Sequence, residues 1–166
     1  MGTRSALGRS WHPPRNRHRG QGLNDTRGGL LDHVTPEAAD LLATMIGSGD
    51  VMIMQVRSVG AAVNDVAGDA TAYPHRTQNF SVLAATVPDR RIHLDKLWSE
   101  LYPHLNGLYL SFETDTDPAR LSDAWPEPAL GRLRAIKATY DPDNVFNRNF
   151  PIPPAGNTED EAIAGS

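Results

Sequence analysis

Ala38, Leu41, Leu42, Met45 and Ile46 recur at i, i+3, i+4, i+7 and i+8, which places them on one face of a helix. Thr35 fits its N-cap, Pro36 its first turn and Glu37 its positive end, and Gly47-Ser48-Gly49 closes it. The apolar run Val51-Met52-Ile53-Met54-Gln55-Val56 has strand length and predicts a buried strand. Asn79 to Val87 predicts another. Leu94, Leu97, Trp98 and Leu101 predict an amphipathic helix that ends before Pro103. From Gly107 to Glu113 the pattern alternates, with Leu108, Leu110 and Phe112 on one side and Tyr109, Ser111 and Glu113 on the other. That alternation predicts a third strand. A last helix is expected from about Glu127 to Tyr140, with Leu130, Leu133, Ile136 and Tyr140 turned inward, until Asp141-Pro142 breaks it. Helices and strands alternate without a strict βαβ rhythm. The expected class is α+β, an antiparallel sheet with helices packed on one face.

The two ends carry no such pattern. Residues 1–22 hold Arg4, Arg9, Arg15, Arg17 and Arg19 without an acid, beside Pro13-Pro14, and predict a disordered Arg-rich arm. Such an arm fits contact with nucleic acid or an anionic surface, or a plain unfolded leader. Residues 155–166, with Glu159-Asp160-Glu161 among small residues, predict a disordered tail. Everything between, 23–154, is expected to form one domain, as the length of 166 residues suggests. A net charge of −4 argues against nucleic-acid binding by the whole chain. No apolar run approaches the roughly 18 residues of a membrane span, and no block resembles a signal peptide, so a cytoplasmic protein is expected. The chain has 0 Cys, which excludes thiolate metal sites, disulfides and cysteine nucleophiles.

Generic motifs for chemistry are few. The histidines His12, His18, His33, His75, His93 and His104 have no ligand spacing, so no metal site is expected. No phosphate-cradling glycine loop and no G-x-S-x-G elbow is present. Tyr109 and Ser111, two apart on the predicted strand, share a side and are able to line a polar pocket. There the phenol is a candidate general base or acid toward a substrate hydroxyl. The same spacing also fits an ordinary solvent-facing strand.

Three stretches resemble the C-terminal half of the berberine bridge enzyme-like FAD-linked oxidoreductases of the vanillyl-alcohol oxidase superfamily. Ala61-Ala62-Val63 with Gly68-Asp69-Ala70-Thr71-Ala72-Tyr73-Pro74-His75-Arg76 is similar to GGAV…DATAFxHR. Gly107-Leu108-Tyr109-Leu110-Ser111-Phe112 is similar to G-x-Y-x-N-Y. The run from Arg132 to Phe146 is similar to RLxxxKxxYDPxNxF, and Ile152-Pro153-Pro154 also fits. The resemblance implies FAD as cofactor, a small-molecule substrate and a substrate-side sheet that roofs the flavin. It implies Tyr109 as the catalytic phenol with Ser111 beside it as a substrate contact, and Asn144 and Asn149 near the cofactor. The family's Asn is Ser111 here, its second Tyr is Phe112, and Trp125 to Leu130 replaces its Tyr-Gly-x-Asn-Tyr stretch. The family's N-terminal half, with its pyrophosphate loops and flavin-linking His, has no counterpart in the sequence. A separate FAD-binding domain is therefore an expected partner. The alternative expectation is a non-catalytic module that binds a ligand or partner.

Overall fold

The computed structural model describes residues 25–156; the predicted arm, 1–22, and the tail from residue 157 lie outside the described residues. The elements are β1 (Asp25–Leu31), α1 (Pro36–Gly47), β2 (Ile53–Ser58), β3 (Phe80–Thr86), α2 (Arg91–Leu101), α3 (Leu121–Ala124) and α4 (Ala129–Tyr140). The three strands form an antiparallel sheet in the order β1-β3-β2. This is the expected α+β class. Among the described residues, no helix is long and apolar enough to cross a membrane.

The main apolar cluster lies on one face of the sheet. Leu31, Val82 and Ala84 meet Ala38, Leu42 and Met45 of α1, and Leu94, Trp98 and Leu101 of α2. The helix signals act as the sequence implies: Thr35 Oγ1 accepts the Ala38 N–H at 3.2 Å, and Ser48 N–H caps Thr44. Ile46, the outermost residue of the α1 stripe, is exposed.

β1 is the strand its own sequence hides. Gly28-Gly29 within it argues against a strand on propensity. Packing explains the pair: a Cβ on Gly29 would stand 2.5 Å from Leu105 Cδ1, so only a bare backbone lets Leu105 close on the sheet. The expected buried strand at 51–56 is corrected. It forms two residues later as edge strand β2, with Ile53 and Val56 exposed, because only β3 pairs with it. The last helix is also corrected. It begins at Ala129, and of its predicted inward set only Leu130 is buried, with Leu133 partly so; Ile136 and Tyr140 are exposed.

The third expected strand is not formed as predicted. Segment 106–114 pairs with the outer edge of β1 at its two ends only. Asn106 N–H donates to Leu30 O and Leu30 N–H to Gly107 O, while Thr114 N–H donates to Thr26 O. Between these anchors three residues of β1, Arg27 to Gly29, face six, Leu108 to Glu113. The excess bulges into a 3₁₀ turn at Leu110–Phe112, so Phe112 is exposed and Glu113 buried, the reverse of the alternation.

Gly107 opens that bulge with φ +117°, and a Cβ there would lie 2.5 Å from His75 Cε1. Gly107→Ala should therefore cost about 3 kcal/mol through backbone strain and overpacking. Urea denaturation reads this directly, and an unchanged midpoint would contradict it.

Candidate functional site

The bulge sets an aromatic group on the sheet face opposite the helices. Met54 of β2 packs on the core, so its alternating neighbour Arg57 belongs to the other face. There Arg57 lies over the Phe112 ring at 5.5 Å. Tyr109 enters the turn and meets Phe112 at 6.3 Å and Tyr73 at 6.0 Å, both edge to face. Tyr73 in turn meets His75 at 5.5 Å and carries Arg76 over its ring at 5.2 Å. Tyr109 remains 43% exposed, enough for its ring to meet a ligand. Ser111 is exposed within the same turn. A half-open patch of aromatic rings between two guanidinium groups suits a planar, electron-rich or anionic group. Burial pushes the Tyr73 phenol above its ordinary range, with Arg76 opposing, so it stays a neutral hydrogen-bonding group near pH 7.

His75 anchors this patch from below. Its Nε2 donates to Ala124 O at 2.9 Å, and burial holds its pKa below the ordinary histidine value, so the ring is neutral near pH 7. A pocket of about 160 Å³ opens beside it, between Arg76, Gln78, Asn106 and Asp123. It is smaller than the roughly 300–1,000 Å³ of most ligand pockets.

Sequence reading missed the charges that hold the bulge. Glu113, expected on the solvent side, has a fully buried carboxylate. Its Oε2 accepts the Gly28 N–H at 2.9 Å and its Oε1 the Asp115 N–H at 2.7 Å. Arg27 and Arg120 flank it, each 3.6 Å away. Arg27 also binds Asp95 of α2 at 2.6 Å, and Arg120 binds Asp123 of α3 at 3.0 Å and approaches Asp115 at 3.7 Å. The Tyr102 hydroxyl donates to Asp123 at 2.7 Å. Loss of water pushes the Glu113 pKa up to about 7, although both arginines and both amides oppose the rise. The only sequence signal was the acid–arginine density from Glu113 to Asp123, which a solvated surface would show equally.

Asn144 and Asn149 lie in the segment after α4. Both have left-handed backbone, φ +51° and +61°, a conformation that asparagine tolerates better than most residues. Asp141 organises the turn: its Oδ1 accepts the Val145 N–H at 2.8 Å and its Oδ2 the Phe146 N–H at 3.0 Å. Lys137 Nζ bonds both Asp141 and Phe146 O. The hydrogen bond from Lys137 is the main cause that holds the Asp141 carboxyl below its usual range. The turn presents Val145 and Phe146 outward, 71% and 81% exposed. Among the described residues, no three or more His, Asp or Glu side chains cluster with metal-binding geometry.

The chain's relatives fit this arrangement. Residues 127–153, which hold α4 and the Asp141 turn, match the family described as "Berberine and berberine like". FAD-linked oxidoreductase alt4 of Alternaria solani is 32% identical over 106 residues, covering 54% of this chain and 22% of its own length. Berberine bridge enzyme-like 7 of Arabidopsis thaliana is 29% identical over 138 residues, covering 69% of this chain and 26% of its own. The fold matches BBE-like 1 of Physcomitrella patens with a TM-score of 0.69 at 20% identity, over 78% of this chain and 30% of that one. It matches berberine bridge enzyme from Eschscholzia californica with a TM-score of 0.64 at 20% identity, over 82% and 34%. The chain thus spans about a fifth to a third of the length of these relatives. In its motifs, its sequence similarity and its fold, the chain is similar to part of the berberine bridge enzyme-like FAD-linked oxidoreductases.

Proposed function

We propose that this chain is the substrate-binding and flavin-covering part of an FAD-dependent oxidoreductase that oxidises a small molecule. An FAD-binding domain, in a longer protein or a separate chain, completes it. The observation that carries this reading is the half-exposed patch of Tyr73, Tyr109 and Phe112 between Arg57 and Arg76, on the sheet face opposite α1 and α2. The patch fits one face of a planar ring. Its residues do not fit the rest of FAD, because no glycine-rich turn at a helix start is present among the described residues to cradle a pyrophosphate. The phosphates therefore fall to the completing domain.

Flavin supplies the acceptor for a hydride from substrate. What this chain supplies is placement and a proton site. The Tyr109 side chain, as its phenolate, takes the proton of a substrate hydroxyl or amine as the hydride leaves, and Ser111 Oγ in the same turn hydrogen-bonds the substrate. The rings of Tyr73 and Phe112 exclude water from one side of it. Asn144 and Asn149, held in fixed left-handed turns, are assigned to the cofactor side on family resemblance.

A purification tests the division of labour. The chain alone should pass through gel filtration in FAD without retaining absorbance at about 450 nm, the oxidised flavin band. Stoichiometric retention would contradict the assignment of the phosphates to another domain.

A further inference from the structure

The Tyr109–Phe112 turn is a bulge without a ladder of its own, so something must fix where it sits. Opposite the bulge the Gly28 N–H of β1 points outward, where a regular neighbouring strand would offer a carbonyl. That place is filled by a side chain: Glu113 Oε2 accepts the Gly28 N–H, and Oε1 accepts the Asp115 N–H that turns the chain away. The backbone carbonyl of Tyr109 lies directly over Gly28, 3.5 Å from where its Cβ would stand. One carboxylate thus clips the exit of the turn to the same residue that its entrance covers.

We propose that Glu113 is the positioning residue of the Tyr109–Phe112 turn, a buried latch that closes the turn onto β1 and releases it when the carboxylate is drawn into water. The charges facing it come from every packed element. Arg27 faces it from β1, with Asp95 of α2 behind, and Arg120 from the turn before α3, with Asp123 of α3 and Tyr102 behind. Asp115, on its own segment, gives Glu113 its N–H and turns its carboxylate to Arg120. An ionised carboxylate gains more from water than a neutral one does, so release is linked to loss of the proton. The raised Glu113 pKa sets the range for this: closed at pH 5.5, loosened at pH 8.

The latch rests on the proposed function only for its consequence, because opening would move Tyr109. Its test reads the turn itself and needs no flavin. Amide exchange of the whole chain, measured by NMR and corrected for intrinsic rates, should show the Gly28 and Asp115 amides, the two that the carboxylate holds, about tenfold less protected at pH 8 than at pH 5.5. Val82 and Leu94 serve as core reference and should not follow. Glu113→Gln, neutral at every pH and still able to accept from Gly28, should keep the turn protected at both values. Glu113→Ala should leave it loose at both. PH-independent protection in the parent, or a pH response that persists in the Gln variant, would overturn the proposal. The parent and Gln arms decide the matter even where the Ala variant does not fold. Loss of flavin chemistry with the latch response intact would count against the function and not against the latch.

Discussion

With an FAD-binding domain supplied, Tyr109→Phe should slow flavin reduction by substrate about 10² to 10⁴-fold, the usual worth of a positioned general acid or base. The substitution removes one hydroxyl and almost no volume. Its edge-to-face contacts with Tyr73 and Phe112 involve the ring and should survive, so the fold should too. Ser111→Ala removes a single exposed hydroxyl and should cost much less, about tenfold or under, as one hydrogen bond is worth roughly 0.5–1.5 kcal/mol. Anaerobic stopped-flow at saturating substrate separates the two. Equal reductive rates for parent and Tyr109→Phe would leave Tyr109 an ordinary surface aromatic and send the proton elsewhere.

The second large effect falls on stability. Arg120 is buried and is shared by Glu113, Asp115 and Asp123. Arg120→Met keeps much of the side chain's length and removes the charge, leaving three buried carboxylates with Arg27 as their remaining cation in the cluster. Breaking a buried pair from one side costs about 3–5 kcal/mol at a pH where the acids are ionised. The pH dependence follows from the folded pKa values. Glu113 is raised to about 7 from 4.5, and Asp115 is raised as well. A raised acid binds its proton more tightly when folded, so its contribution is complete below the unfolded pKa and is lost as pH rises through the folded one. Removing Arg120 takes away a cation that lowers both values, and so raises them further. The variant's deficit should therefore be large at pH 8 and shrink toward pH 5, where protonation relieves the repulsion. Urea denaturation at the two pH values checks both halves. A deficit that is equal at both would show that the loss is packing and not charge.

What could be read from the sequence were elements with self-sufficient local signals. The Thr35-Pro36-Glu37 start and the Ala38–Met45 stripe specify α1 without reference to the rest of the chain. Strand β3 and helix α2 were equally plain, because their apolar residues fill the core between the sheet and α1. Strand β1 was not, since Gly28 and Gly29 are dictated by what lies against them: Leu108 and Tyr109 on one side, Leu105 on the other. The stretch from Gly107 to Glu113 misled for a related reason. Its alternation is genuine, yet the pairing register with β1 leaves too many residues between Gly107 and Thr114, and the surplus loops out. No local pattern encodes that count. Buried charge was the other blind spot: Glu113 looks solvent-facing until Arg27, distant in sequence, and Arg120, close by along the chain, are seen to enclose it. For the site, resemblance singled out Tyr109 and Ser111. They sit on a turn and not on a sheet face, and the partners Tyr73, Arg57 and Arg76 emerged only from the fold.

Two stretches also carry an exposed apolar set. Met52, Ile53 and Val56 line the β2 edge, and Ile136, Tyr140, Val145 and Phe146 line α4 and its turn. Surfaces of this kind are commonly covered by a partner. In the proposed function, the FAD-binding domain is that cover.

One measurement bears on this most directly and needs no knowledge of the substrate. The chain is titrated into the flavin-loaded FAD-binding portion of a berberine bridge enzyme-like relative, and flavin fluorescence is followed. A patch of tyrosines brought over the ring should quench it saturably at one chain per flavin, and Tyr109→Phe should weaken the quenching without abolishing the complex. A flavin signal unchanged at saturating chain, or a complex whose quenching ignores Tyr73, Tyr109 and Phe112 alike, would contradict the flavin-covering role.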